Sequence, residues 1–143
     1  IKKEYLIKNK KKLEELLKSY LLLYKHAYKH WYNESCNDLT IVNAWVNYMR
    51  PKESNPIHTH TLCEFSSVFY LKMPKGLKKE RDDFETSGAK PGDINFYMNA
   101  QTSKHFINMK TFSPEVGDFF IFPAGLPHFV NSFKSKGERI SII

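Results

Sequence analysis

The apolar positions of the first quarter of the chain recur at steps of three and four residues. From about Lys3 to Trp31 they fall at Leu6, Leu13, Leu16, Leu17, Tyr20, Leu21 and Tyr24. This spacing places the apolar side chains on one face of an α-helix and leaves the lysines facing outward. The polar stretch NESCND ends the pattern. The sequence therefore predicts an N-terminal helical segment, residues 1–33, which packs across a sheet.

After residue 39 the pattern changes to the short, alternating, β-branched and aromatic runs that are typical of strands. Such runs are TIVNAWVNYM, FSSVFYLKMP, KHFINMKTF and the segment LPHFVNSFKSKGERISII, together with two units that follow a Gly-Asp turn, PGDINFYMN and VGDFFIFPAG. One helix followed by about seven short strands predicts an antiparallel β-sandwich or barrel backed by a helix. We expect a single domain, residues 1–143, whose β core spans residues 39–143.

The stretch KGLKKERDDFETSGAK, residues 75–90, has no periodicity and few apolar positions. It predicts a surface loop that is long enough to act as a lid or to be a disordered insertion. Loops at the mouth of a barrel often carry specificity, so we expect this one to help select the prime substrate.

Composition and charge narrow the class of protein. The 143 residues are 41% hydrophobic and 15% aromatic, which indicates a packed globular core. The net charge is +7, but no nucleic-acid module accompanies the lysines, so nucleic acid is not an expected partner. No apolar run reaches the roughly 18–20 residues of a membrane span. The two cysteines match no metal or redox spacing, which predicts a cytoplasmic protein; a homo-oligomer is compatible with all of this.

The segment NPIHTHTLCEF contains two candidate metal ligands, His58 and His60, which are two residues apart. In an extended strand both side chains project from the same face. His128, in FPAGLPHFV, supplies a third imidazole from a distant strand. Two ligands from one strand and one from another can form a three-ligand metal site with open positions in the mouth of a barrel. We therefore predict His58, His60 and His128 as metal ligands.

A candidate anion site follows the last histidine. Arg139 lies eleven residues after His128, and Ser141 lies two residues further on, on the same strand face. A guanidinium offers a fork of donors that matches a carboxylate, and a serine hydroxyl adds a further hydrogen bond. Such a strand could hold a dicarboxylate by its far end while the near end chelates the metal. Asn43, on the strand before the histidine pair, is a further candidate for bonding this cosubstrate.

The order of these motifs resembles a known family. His-x-His, then SSVFYLKMP, then Gly-Asp-x-x-x-Phe-Pro-x-x-x-Pro-His-x-Val, then Glu-Arg-Ile-Ser, over about residues 40–143, is similar to a small group of 2-oxoglutarate- and Fe(II)-dependent oxygenases. These are relatives of the prolyl hydroxylases and are frequent among phage and marine bacterial proteins. The resemblance implies a double-stranded β-helix (jelly-roll, cupin-like barrel) and Fe(II) as the metal. It also implies 2-oxoglutarate as the cosubstrate, gripped by Arg139 and Ser141.

The implied reaction is hydroxylation of a C–H bond of an unidentified substrate, coupled to decarboxylation of 2-oxoglutarate to succinate. Most members of the wider superfamily carry His-x-Asp where this chain has His-x-His, and three imidazoles also suit zinc or copper. The alternative is a cupin-type metalloprotein, another dioxygenase or an isomerase. It would use His58, His60, Glu64 and His128 as ligands and make Arg139 incidental.

Overall fold

The computed structural model describes residues 6–86, 88–98 and 108–143. The chain forms two compact units, residues 1–46 with Ile143 and residues 47–142. The expectation of one domain over residues 1–143 stays a prediction. The predicted strand KHFINMKTF begins outside the described residues.

The first unit contains one long helix, α1 (Lys10–Tyr32). The side chain of Asn9 caps its first turn by accepting a hydrogen bond from the backbone N–H three residues later, at 3.1 Å. Asn33 ends the helix in the left-handed conformation, with φ 54°. Residues 6–8 are not helical, and the N–H of Ile7 bonds the carbonyl of Ala44 instead. Among the described residues, no helix is long and apolar enough to cross a membrane.

The remaining elements are a short helix and eight strands in the described ranges. They are β1 (Val46–Met49), β2 (Asn55–His58), β3 (Phe65–Lys72), α2 (Leu77–Asp82), β4 (Ile94–Tyr97), β5 (Met109–Phe112), β6 (Phe119–Pro123), β7 (His128–Val130) and β8 (Arg139–Ile142). Seven of these strands fall within a run with strand-like alternation and are shorter than that run, while β2 lies in the histidine-containing segment NPIHTHTLCEF. The mainly β prediction is confirmed.

The strands form two four-stranded sheets, with the orders β1-β8-β3-β6 and β2-β7-β4-β5. The pairs β2–β7, β3–β6, β3–β8, β4–β5 and β4–β7 are antiparallel. Strands that follow one another in sequence mostly belong to different sheets. Residues close in sequence therefore end up in different sheets, while His58 and His128, 70 positions apart, become direct neighbours.

The alternation along β3 shows how the sequence specifies the core. Ser66, Val68 and Tyr70 are buried, while the residues between them are partly exposed. This two-residue period is the pattern of a strand with one face on the core. The neighbouring aromatic rings of Phe96 and Phe122 lie 4.8 Å apart, centroid to centroid, in an edge-to-face contact that extends this core.

The prediction of a surface loop over residues 75–90 is wrong for Leu77–Asp82, which form the helix α2. Leu77 and Arg81, four residues apart, are both buried, so one face of the short helix packs inward. The Arg81 guanidinium donates to the carbonyls of Pro91 at 2.9 Å and Pro114 at 3.1 Å, and lies 3.5 Å from the Asp93 carboxylate. A buried arginine on a mostly charged helix does not register as an apolar period, which is why the pattern missed it.

Candidate active site

The structure brings the three predicted histidines together in the second unit. His58 ends β2, His128 begins β7, and the two are direct partners across the antiparallel pair. His60 lies two residues beyond His58, and its backbone N–H bonds the carbonyl of Ala124 at 2.9 Å. The ring centroids of His58 and His128 are 4.2 Å apart, and His60 lies 5.2 Å and 5.1 Å from them. One nitrogen from each ring lies within 4.8 Å of the others, so the cluster could hold a metal ion.

Local hydrogen bonds orient two of these rings. Nδ1 of His58 lies 2.7 Å from the carbonyl of Pro56, and Nδ1 of His128 lies 2.9 Å from the carbonyl of Leu126. A carbonyl can only accept, so each Nδ1 carries the proton and donates it. The lone pair of each neutral ring is then on Nε2, where it is available to a metal. At both histidines the accepting carbonyl belongs to the residue two positions earlier in the chain. The rings of His58 and His128 are therefore held by equivalent local hydrogen bonds.

Burial favours the neutral, metal-binding form of His60 and His128. Burial lowers the pKa of His128 to about 4; the hydrogen bond to Leu126 opposes this shift, and the other two imidazoles add to it. Burial also lowers the pKa of His60, with a smaller contribution from His58. Removal of an imidazole from water disfavours its protonated form. At neutral pH His60 and His128 therefore present lone pairs instead of charges.

Arg139 is buried beside the ring of Tyr70, with only 2% of its surface exposed. Its Nη2 donates to the hydroxyl of Tyr70 at 2.8 Å, and its Nη1 contacts the sulfur of Met49 at 3.5 Å. Its guanidinium carbon also lies 4.7 Å from the centroid of the Tyr70 ring. Burial raises the pKa of Tyr70, and the Arg139 charge opposes the shift, so Tyr70 remains a neutral phenol.

Two donors in this region are buried without a hydrogen-bond partner in the described part of the chain: Nε of Arg139 and Oγ of Ser141. The two residues are at i and i+2 on β8, so they share a face of the strand. Arg139 makes no ion pair with any described carboxylate, whereas its sequence neighbour Glu138 lies 3.9 Å from the exposed Arg50. Burying a guanidinium without a counter-charge costs free energy. The arrangement therefore suits an anion.

The other two candidate site residues, Asn43 and Glu64, are not part of the histidine cluster. Asn43 is exposed and belongs to the first unit, and its role in cosubstrate binding stays a prediction. Glu64 is exposed and is not part of the ligand cluster of the described residues; its carbonyl accepts a hydrogen bond from the N–H of Ala124 at 2.9 Å. The structure therefore does not support the four-ligand cupin set. Tyr70 was not singled out by sequence reasoning, although the alternation along β3 places it on the buried face with Val68.

Comparison with known proteins identifies the family. Residues 43–143 match the family described as "Putative 2OG-Fe(II) oxygenase". The chain belongs to this 2OG-Fe(II) oxygenase family. The resemblance predicted from the motif order is thereby confirmed, and the match covers the segment in which the motifs lie. Members of the family use Fe(II) and 2-oxoglutarate. No curated protein sequence matches the chain.

The chain is also similar, at low sequence identity, to several solved structures. An oxidoreductase of the 2OG-Fe(II) oxygenase family from Burkholderia pseudomallei is 16% identical, with a TM-score of 0.50 over 70% of this chain and 40% of that one. A prolyl-4-hydroxylase from Pseudomonas putida is 16% identical, with a TM-score of 0.47 over 70% and 48%. A cupin-2 domain protein from Shewanella frigidimarina is 10% identical, with a TM-score of 0.34 over 71% and 68%. The chain spans less than half the length of the first two.

Proposed function

We propose that this chain is an Fe(II)- and 2-oxoglutarate-dependent dioxygenase that hydroxylates a C–H bond of its prime substrate, with decarboxylation of 2-oxoglutarate to succinate. The observation that carries the proposal is the presence, in one compact unit, of a three-imidazole cluster and a buried guanidinium without a carboxylate partner among the described residues. The first suits a divalent metal ion, and the second suits a carboxylate. Only a cosubstrate with both a chelating and a carboxylate end would use both.

The strand order supports a double-stranded β-helix as the scaffold. A jelly roll has eight strands in two four-stranded sheets, built from two Greek keys in which successive strands cross between the sheets. The orders β1-β8-β3-β6 and β2-β7-β4-β5 have this form. In such a scaffold β2 and β7 are adjacent although they are distant in sequence, and they carry His58 and His128.

The residues present fit Fe(II) by the chemistry of their donors. His58, His60 and His128 would hold it through neutral imidazole nitrogens, which are suitable ligands for ferrous iron. Dioxygen is the oxidant, and Fe(II) with 2-oxoglutarate, when bound, would activate it: one oxygen atom enters the substrate C–H bond and the other enters succinate, with release of CO2. The chain's own contribution is to keep His60 and His128 unprotonated by burial and to fix the rings of His58 and His128 through the carbonyls of Pro56 and Leu126.

The residues present also fit the far carboxylate of 2-oxoglutarate. Arg139 Nε and Ser141 Oγ are buried donors with unused hydrogen-bonding capacity, and a carboxylate would satisfy both while balancing the guanidinium charge. The hydroxyl of Tyr70 holds one arm of the guanidinium in place, so the fork is oriented before the ligand arrives. Such preorganisation reduces the entropy lost on binding.

Anaerobic absorption spectroscopy tests the proposal. Protein given Fe(II) and then 2-oxoglutarate should develop the weak visible charge-transfer band of a 2-keto acid on ferrous iron. Arg139→Ala should raise the 2-oxoglutarate concentration needed for half of the band, whereas Arg50→Ala, at an exposed arginine, should leave it unchanged. Absence of the band in protein that has bound Fe(II), or equal titrations for Arg139→Ala and the parent, would contradict the proposal.

A further inference from the structure

A groove of about 1250 Å³ lies in the second unit, and none of the three histidines lines it. Its walls are residues 54–57 in and before β2, residues 89–91, residues 129–136 in and after β7, and one side of the segment around α2, formed by Gly76, Lys79, Glu80, Asp83 and Phe84. Pockets for small molecules measure roughly 300–1,000 Å³. This groove exceeds that range and has room for several residues of an extended chain.

The groove and the candidate active site use different residues of the same two strands. Ile57 and Phe129 line the groove, and each is adjacent in sequence to a histidine of the cluster, His58 or His128, while none of the three histidines lines it. On β7 successive side chains point to opposite faces of the sheet, so Phe129 faces away from His128. The groove therefore has lining residues of its own, separate from the three imidazoles.

The rim of the groove is basic. Four lysines line it, and none is within 4.0 Å of a described carboxylate oxygen: Lys79, Lys90, Lys134 and Lys136. Of the two acidic residues that line it, Glu80 is already occupied: its carboxylate accepts hydrogen bonds from the backbone N–H groups of Lys134 and Ser135, each at 2.7 Å. Asp83 is exposed. Positive charge therefore outnumbers negative charge, and the lysine ammonium groups are available to a ligand.

The floor of the groove is apolar, and one wall is a sheet edge. Ile57 is 59% exposed and Phe84 is 41% exposed, which is high for large apolar side chains. β2 lies at the end of its sheet order, so within the described residues it has a strand on one side only. An edge strand offers backbone N–H and C=O groups to another extended chain.

We propose that this groove binds an extended acidic peptide segment of a partner protein. The carboxylates of the segment meet the four rim lysines, its apolar side chains contact Ile57 and Phe84, and its backbone lies along the edge of β2. A single-stranded nucleic acid would match the lysines and could stack on Phe84 or Phe129, but it has no peptide backbone to pair with the N–H and C=O groups at the edge of β2. The surface goes beyond the oxygenase reaction, since none of the three histidines lines it.

Fluorescence anisotropy on the metal-free full chain tests the proposal with defined probes. The first probe is a fluorescein-labelled ten-residue peptide of alternating Glu and Leu, the second replaces every Glu by Lys, and the third is a ten-nucleotide oligothymidylate. We expect saturable binding of the Glu-Leu peptide, weakened by added salt because the rim lysines are exposed. We expect binding of the Lys-Leu peptide and the oligonucleotide to be at least about tenfold weaker.

Charge-reversal variants locate the binding. The triple variant Lys79→Glu, Lys134→Glu, Lys136→Glu should weaken binding of the Glu-Leu peptide by at least about tenfold. Lys78→Glu is the matched control, because Lys78 is exposed on the same helix but does not line the groove, and it should change affinity by less than about twofold. Equal binding of the Lys-Leu peptide, tighter binding of the oligonucleotide, or an equal loss in Lys78→Glu would each overturn the proposal.

Discussion

Replacing Arg139 by methionine should remove most of the thermal stabilisation that 2-oxoglutarate gives to the metal-loaded protein. In the structure the guanidinium uses Nη2 on the hydroxyl of Tyr70 and Nη1 on the sulfur of Met49, and keeps Nε unpartnered among the described residues. Hydrogen bonds from a charged donor contribute about 1.5–3 kcal/mol each. Loss of the charged fork should therefore weaken binding by about 3 kcal/mol, or about 100-fold.

This loss translates into a measurable difference in melting temperature. At a ligand concentration of about 100 times the dissociation constant, binding stabilises the parent by about 2.7 kcal/mol. For a chain of this size that corresponds to roughly 10 °C. At the same concentration a variant with about 100-fold weaker binding keeps about 0.4 kcal/mol, or roughly 2 °C.

The assay is thermal unfolding followed by circular dichroism, under anaerobic conditions with Fe(II), with and without 2-oxoglutarate. The quantity compared is the shift caused by 2-oxoglutarate, so a change in the stability of the unliganded variant does not enter. Arg50→Met is the matched control, since Arg50 is an exposed arginine near Glu138, and it should keep the full shift. A shift in Arg139→Met of more than half the parent value would refute the role assigned to the guanidinium.

Three further substitutions have expected outcomes. His60→Ala should abolish the rise in melting temperature on adding Fe(II), while Glu64→Ala should leave it intact; equal losses would favour the four-ligand cupin site. Tyr70→Phe removes one hydrogen bond that orients the guanidinium, so isothermal titration should show 2-oxoglutarate binding weakened by about tenfold, not lost; unchanged affinity would argue against this orienting role. Asp93→Asn leaves the buried Arg81 without its carboxylate, so urea unfolding should show a free energy of unfolding lower by about 3 kcal/mol. A loss below about 0.5 kcal/mol would mean that this ion pair does not stabilise the fold.

The strands and the ligand cluster were predictable because their signals are local or repeated. The two-residue alternation in FSSVFYLK needs only one strand with a buried face, and β3 shows it over Phe65–Lys72. The His-x-His spacing fixes two imidazoles on one face of an extended segment wherever that segment lies. The prediction that His128 joins them depended on the predicted barrel, in which strands distant in sequence can be neighbours. In the structure His58 and His128 are direct partners in the β2–β7 pair.

Other features depend on contacts that no local pattern encodes. The run TIVNAWVNYM alternates throughout, yet β1 occupies only Val46–Met49. The backbone of Trp45, the residue before it, pairs with Ile143, a contact that the local pattern does not encode. The start of α1 was placed too early, although Asn9 is a good N-cap residue and could have marked it. The unpartnered donors of Arg139 and Ser141 become visible only when their burial is known.

The most direct test of the account is the crystal structure of the chain grown anaerobically with Fe(II) and 2-oxoglutarate, with the iron located by its anomalous scattering. The account predicts one iron bonded at about 2.1 Å to a ring nitrogen of each of His58, His60 and His128. It also predicts a carboxylate of 2-oxoglutarate within about 3.2 Å of Arg139 Nε and Ser141 Oγ. An iron bound away from the three imidazoles, or a 2-oxoglutarate that leaves the Arg139 guanidinium without a carboxylate, would contradict it.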